Sequence, residues 1–220
     1  MECGDSSPLD VKGGDESPHS TTSGLQPTRL RNISYLQTHD KTTVMTDYRR
    51  VYVPGATWFF TVNLAERKGN RLLIDHIDGL RLAFAYAKQR KPFRVDAVVI
   101  LPDHLHCIWT LPTGDTDFST RWNLLKGHFS RSIEKGERIS QSRVNRHERG
   151  IWQRRFWDHL LRDQDDYNKH VDYIHWNPVK HGWVKRVADW PYSSFHRFVE
   201  HGIYPIDWGC DGEFDVLGGE

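Results

Sequence analysis

Cysteine is scarce in this sequence, long apolar runs are absent, and neither sign of charge dominates. The three cysteines, Cys3, Cys107 and Cys210, are scattered and form no CxxC pair. That spacing argues against a disulfide framework or a thiolate zinc site, and reduced cytosol is the expected compartment. No apolar stretch approaches the roughly 18 residues of a membrane span, and the polar N-terminus is no signal peptide. Neither a P-loop nor an HExxH helix occurs, so ATP-driven phosphoryl transfer and zincin-type hydrolysis have no support.

The formal net charge of +1 hides segregation. Residues 121–197 carry 16 Lys and Arg against nine Asp and Glu, with seven His besides, whereas 198–220 carry six acids and no base. Nine Trp, ten Phe and eight Tyr are many for 220 residues. A basic stretch rich in aromatics suits a polyanion such as nucleic acid, although a solvated helical surface has the same composition.

Length and patterning suggest one core domain with appendages. Residues 1–44, rich in Ser, Thr, Gly, Asp and Pro, read as a disordered extension that is dispensable or precedes a true start at Met45. The domain proper is expected over 45–177, a basic and aromatic extension over 178–208, and an acidic tail over 209–220. Within the domain, alternation and composition predict strands at Ala56–Leu64, Phe93–Leu101, His104–Leu111 and Ile151–Leu160. Helical spacing predicts helices at Ile77–Arg90, Phe118–Lys135 and Asp163–Trp176, the last stopped by Pro178, with a polar loop over 136–150. The order βαββαβ plus a final helix predicts an α+β fold: a ferredoxin-like antiparallel sheet with helices on one face, followed by a C-terminal helix and a basic extension.

Two short motifs carry the chemistry. In the strand His104–Leu111, period-two alternation puts His104, His106, Ile108 and Thr110 on one face and Leu105, Cys107, Trp109 and Leu111 on the other. Two imidazoles at that spacing can grip one divalent metal, though a polar outer strand face would look the same. Asp103, in the turn before them, is placed to orient His104 or to cap the hairpin. In the last helix Tyr173 and Asn177 are four residues apart and share a face. Tyr167 is a rival nucleophile, but lies about 240° around the helix from Tyr173, so both cannot face one site. As purely structural residues, Tyr173 is an amphipathic core tyrosine and Asn177 a helix cap. Together the motifs supply an N/N/O site from His104, His106 and Asn177, suited to Mg²⁺ or Mn²⁺ and acceptable to Zn²⁺, beside a phenol nucleophile.

Several stretches, in order, now form a known pattern: Thr46-Asp-Tyr-Arg-Arg-Val-Tyr-Val-Pro-Gly, Phe59-Phe-Thr-Val-Asn-Leu, Leu101-Pro-Asp-His-Leu-His, Trp152-Gln-Arg-Arg-Phe-Trp-Asp-His, Tyr173-Ile-His-Trp-Asn-Pro-Val-Lys-His-Gly and Asp189-Trp-Pro-Tyr-Ser-Ser. Over about 45–208 the chain resembles the REP-associated tyrosine transposases, a branch of the single-tyrosine HUH transposases. The resemblance implies a ferredoxin-like fold, dependence on a divalent metal, and single-stranded DNA as substrate, recognised as palindromic hairpins with a short guide sequence alongside. It implies His104 and His106 as the HUH pair, Tyr173 as nucleophile forming a 5′-phosphotyrosine, and Asn177 as third ligand where other members supply Gln. It also implies a nucleoid-associated cytoplasmic protein, monomeric or homodimeric, that cleaves and rejoins DNA.

Basic residues offer DNA contacts on composition alone: Lys126, His128 and Arg131 on the second helix, and Arg154 and Arg155 on opposite faces of the fourth strand. His159, on the same strand face as Arg155 and Trp157, is a further candidate, as are Lys180, His181, Lys185, Arg186 and Arg197 among the C-terminal aromatics. Two other functions fit the same motifs: a non-catalytic hairpin-binding module, and a nuclease whose histidines hold a metal that activates water.

Overall fold

The computed structural model describes residues 52–209; the 1–44 extension and the tail beyond Gly209 lie outside them. The described elements are β1 (Thr57–Asn63), α1 (Leu72–Asp75), α2 (Ile77–Arg90), β2 (Arg94–Ile100), β3 (His104–Thr110), α3 (Phe118–Ser132), α4 (Gln141–Val144), β4 (Trp157–Leu160), α5 (Gln164–Lys180), a 3-10 turn (Val187–Asp189) and α6 (Phe195–Glu200). The four strands form one sheet in the order β2-β3-β1-β4, every pair antiparallel. This is the expected ferredoxin-like α+β arrangement.

The sheet is covered on both faces. On one side α2 and α3 bury Leu80, Ala83, Ala87, Trp122, Leu125 and Phe129 against the apolar alternate residues of β1 and β3. Trp109 and Trp122 stack there at 4.1 Å, and Phe60 packs edge-on to Trp122 at 5.4 Å. On the other side α5 lies over the histidine-bearing face, so β3 is buried along almost its whole length. A tight hairpin closed by Leu101 N–H donating to His104 O (2.9 Å) joins β2 to β3. Residues 161–163 are all that separate β4 from α5, whose N-terminus is capped by Asp163 accepting from Asp166 N–H at 2.8 Å.

Several boundaries depart from expectation. The helix does not stop before Pro178; it runs to Lys180. A proline lacks one helical donor, but the cost is contained because the helix ends just beyond it. There Gly182, at φ +69°, donates to Val179 O (2.9 Å) and Trp183 N–H donates to Pro178 O (2.9 Å), a Schellman closure. The fourth strand does not begin at Ile151. Only Trp157–Leu160 is regular strand, preceded by an isolated bridge between Trp152 and Leu64. Strand alternation therefore says nothing about Arg154 and Arg155. The 136–150 segment holds the short helix α4 and is fastened by Arg149, which donates to Glu137, Ser130 O and Ile133 O. Among the described residues no helix is long and apolar enough to cross a membrane.

Arg149 holds the Glu137 carboxyl at about 2, against its ordinary 4.5. A depressed carboxyl pKa means the ion pair stabilises fully above pH 4.5 and is lost as pH falls toward 2. Glu137→Gln should therefore cost roughly 1.5–3 kcal/mol in urea unfolding at neutral pH. The difference from the parent chain should shrink through that acid window. An unchanging difference would show that the carboxylate charge contributes nothing.

Candidate active site

The centre of the covered face is built from paired strand residues. Antiparallel register sets Asn63 opposite His104, Thr61 opposite both His106 and Trp157, and Phe59 opposite Ile108 and His159. Residues so paired share a face. The His104 and His106 rings are 5.0 Å apart and nearly perpendicular, and both residues are buried. An exposed polar strand face is thereby set aside.

Each imidazole is held through Nδ1. His104 Nδ1 donates to Asp103 Oδ1 at 2.6 Å, and Asp103 Oδ2 accepts from Arg67 Nε at 2.7 Å. His106 Nδ1 lies 2.9 Å from Thr61 Oγ1. Burial alone would raise the Asp103 pKa, but the hydrogen bonds from His104 and Arg67 outweigh it and hold the carboxyl at about 2. Burial pushes His106 well below the ordinary histidine value, helped by His104, His181, Lys180 and Arg67. A neutral imidazole is the form that can accept a metal. His104 Nε2 and both amide atoms of Asn177 are buried without a hydrogen-bond partner among the described residues. Buried polar atoms are seldom left so.

Helix α5 supplies the remaining groups. The Tyr173 ring sits edge-on to His106 at 5.2 Å and to Phe59 at 6.0 Å. Lys180, two turns on, places Nζ 3.4 Å from Tyr173 Oη and 4.8 Å from the ring centre. Asn177 is fully buried one turn beyond Tyr173. The rival Tyr167 is half-buried beside Asp96, Arg94 and Arg197, toward the β2 edge. The helix thus turns Tyr173, and not Tyr167, to the imidazole pair.

Next to His104 a cavity of about 370 Å³ is lined by Arg67, Asn70, Arg71, Asp103, His181 and Trp183. The His181 ring is 5.3 Å from that of His104. Arg67 and Arg71 were not picked out from the sequence: they lie in a loop, where no periodicity marks a residue as facing a site.

The other basic residues scatter. Lys126, His128 and Arg131 lie on α3, across the sheet from the histidine pair; Lys126 donates to Gln153 O at 3.0 Å, and the His128 ring lies over Tyr86 at 4.4 Å. Arg154 pairs with Glu148 at 2.7 Å, and Arg186 with Asp189 at 2.7 Å. Arg197 donates to Asp96 O, while Arg155 and Lys185 are exposed. His159 stacks on Trp157 and donates to Asp166, so it is engaged with α5.

No protein-family model matches the chain. It is 50% identical over 167 residues to the REP-associated tyrosine transposase of Escherichia coli K12, spanning 76% of this chain and 93% of that protein. A Haemophilus influenzae relative of the same kind is 45% identical over 175 residues, covering 79% of this chain and 99% of the relative. A solved REP-associated tyrosine transposase bound to a REP hairpin superposes with a TM-score of 0.67 at 48% identity, covering 80% of this chain and 99% of that one.

The amide of Asn177 invites a direct check. An apolar side chain of similar size would remove two unsatisfied buried polar atoms, so Asn177→Leu should raise the stability of the metal-free chain by roughly 1–3 kcal/mol. Urea unfolding in chelator measures this. A loss of stability would mean that the amide has partners in the folded chain.

Proposed function

The chain belongs to the family of REP-associated tyrosine transposases, and on that premise we propose that it cleaves and rejoins single-stranded DNA at palindromic REP-like hairpins through a 5′-phosphotyrosine on Tyr173. The observation that carries this reading is the Tyr173 phenol, against His106 on one side and 3.4 Å from the Lys180 ammonium on the other. A phenol without a neighbouring cation or base is a weak nucleophile at neutral pH.

The donor set fits a divalent metal. Among the described residues His104 Nε2 and the Asn177 amide oxygen are buried without a hydrogen-bond partner, and burial holds His106 neutral. His104, His106 and Asn177 would hold Mg²⁺ or Mn²⁺; a mixed imidazole and amide set leans toward Mn²⁺. When bound, such an ion polarises the scissile phosphate and balances charge on its oxygens.

The chain's own residues do the rest. Tyr173 Oη attacks phosphorus, forming the Oη–P bond as the P–O3′ bond breaks. The phenol proton is lost to solvent and the departing 3′ oxygen takes one up. Lys180 stabilises negative charge on Oη as the phenol deprotonates, and again when Oη leaves in the reverse step. Asp103, itself held by Arg67, keeps the His104 proton on Nδ1 and turns Nε2 inward. Because the phosphoester is conserved, rejoining needs no ATP. Arg67 and Arg71 supply positive charge beside His104, and His181 a further hydrogen-bonding imidazole, for a phosphate of the flanking strand. The hairpin seen on the solved relative is the natural choice of substrate here.

With labelled hairpin DNA and Mn²⁺ or Mg²⁺, a denaturing gel should show label transferred to the protein, lost in Tyr173→Phe and with chelator. Hairpin binding should survive that substitution. Cleavage that persists without an adduct would point to metal-activated water, and specific binding with no cleavage to a silent recognition module. Separately, Asp103→Asn should weaken Mn²⁺ binding by roughly 10–100-fold in a calorimetric titration, with circular dichroism unchanged. Undiminished affinity would exclude Asp103 as the group orienting His104.

A further inference from the structure

A second convergence of metal-binding side chains, which the proposed cleavage does not use, lies on the same face of the sheet. His159 on β4, and Asp166 and His170 one turn apart on α5, each bring a potential ligand atom to within 4.8 Å of the others. His159 Nε2 lies 3.1 and 3.0 Å from the two Asp166 carboxylate oxygens. His170 Nδ1 lies 3.1 Å from Asp166 Oδ1 and 2.8 Å from the Asp166 main-chain oxygen. Arg162 N–H also donates to Asp166 Oδ2, at 3.1 Å. The two rings stack at 4.8 Å and 20°, so their nitrogens turn toward one carboxylate.

We propose that His159, Asp166 and His170 form a second divalent-metal site, of zinc type, that fastens β4 to the first turns of the helix carrying Tyr173. Two imidazoles and a carboxylate are a recurrent zinc set, whereas Mg²⁺ prefers a larger share of oxygen donors and bound waters. The nitrogen-to-carboxylate separations of 3.0–3.1 Å are long for charge-assisted hydrogen bonds, which run about 2.7–2.9 Å. They approach the roughly 3.3 Å between ligand atoms held 2.0–2.1 Å from a tetrahedral zinc. His159 and Asp166 keep 24% and 21% of their side-chain surface, which leaves an entry path and a fourth position for water. Binding moves the proton of each imidazole to its other ring nitrogen, breaks the His170 bond to the main chain, and leaves the carboxylate charged. The site couples to the nucleophile through Phe59, whose ring touches His170 at 4.7 Å and Tyr173 at 6.0 Å.

Without a metal the three side chains satisfy one another as hydrogen-bond partners, so metal content must decide. The full chain carrying His104→Ala and His106→Ala, which lacks the first pair, is equilibrated with ZnCl₂ and freed of excess by gel filtration. It is compared with the same chain carrying His159→Gln in addition. The first should retain one zinc equivalent more than the second, and only the first should gain thermal stability with Zn²⁺ and lose it with chelator. Equal zinc content in the two would overturn the proposal. If His159→Gln melts far lower even in chelator, Asp166→Asn replaces it, since an amide oxygen can still accept from His159. Loss of the zinc equivalent then supports the site, and retention overturns it. Neither readout depends on strand cleavage, so this site and the proposed function stand or fall separately.

Discussion

Two imidazoles sit in the middle of a sheet covered on both faces, and the cost of taking them out of water organises everything around them. A buried imidazole must be neutral or paired, and its ring nitrogens must find partners. Asp103 and Thr61 take the Nδ1 side, which fixes the ring orientation of each and, through the acceptor-only Asp103 carboxylate, the tautomer of His104. Arg67 follows from Asp103, because a carboxylate in that position needs a second partner of its own. Helix α5 follows from the same demand. Only a cover over this face excludes water, and the cover brings Tyr173 and Asn177 with it.

Charge at the site is lopsided. Lys180, Arg67 and Arg71 gather near the histidines with the His181 imidazole, while Asp103 pairs with Arg67 and Asp75 with Arg71. A pocket that repels cations among its own side chains is stabilised when an anion enters. Arg154, Arg186 and Arg149 sit elsewhere with Glu148, Asp189 and Glu137, where their charges are already matched. Net charge over 121–197 therefore overstates how many bases are available to a polyanion.

Much of this was legible in the residues themselves. The HxH strand and the Tyr-x-x-x-Asn helix follow from periods of two and 3.6, and the strand order follows from the alternation of elements. Regular repeats are what a sequence displays. The extension of α5 past Pro178 was hidden because it depends on Gly182 closing the next turn, a feature of the chain beyond the proline. The late start of β4 was hidden because Trp152 and Phe156 are as apolar as strand residues while serving a bend and a cluster of aromatic rings. Arg67 belongs to a loop, and only its bond to Asp103 brings it to the site. Asp166 and His170 did stand four apart, but their meeting with His159 needed the short β4-to-α5 connection.

That connection has a topological consequence. Three residues, 161–163, span at most about 11 Å when fully extended. The helix bearing Tyr173 therefore has no reach to the sheet of a second molecule, and exchange of this element between copies would require β4 itself to unpair. Within the one chain described, the imidazole pair and the Tyr173 phenol are drawn from a single polypeptide. On the proposed mechanism one copy would carry one covalent attachment point, and an event that handles two DNA ends at once would need two molecules or take the ends in turn.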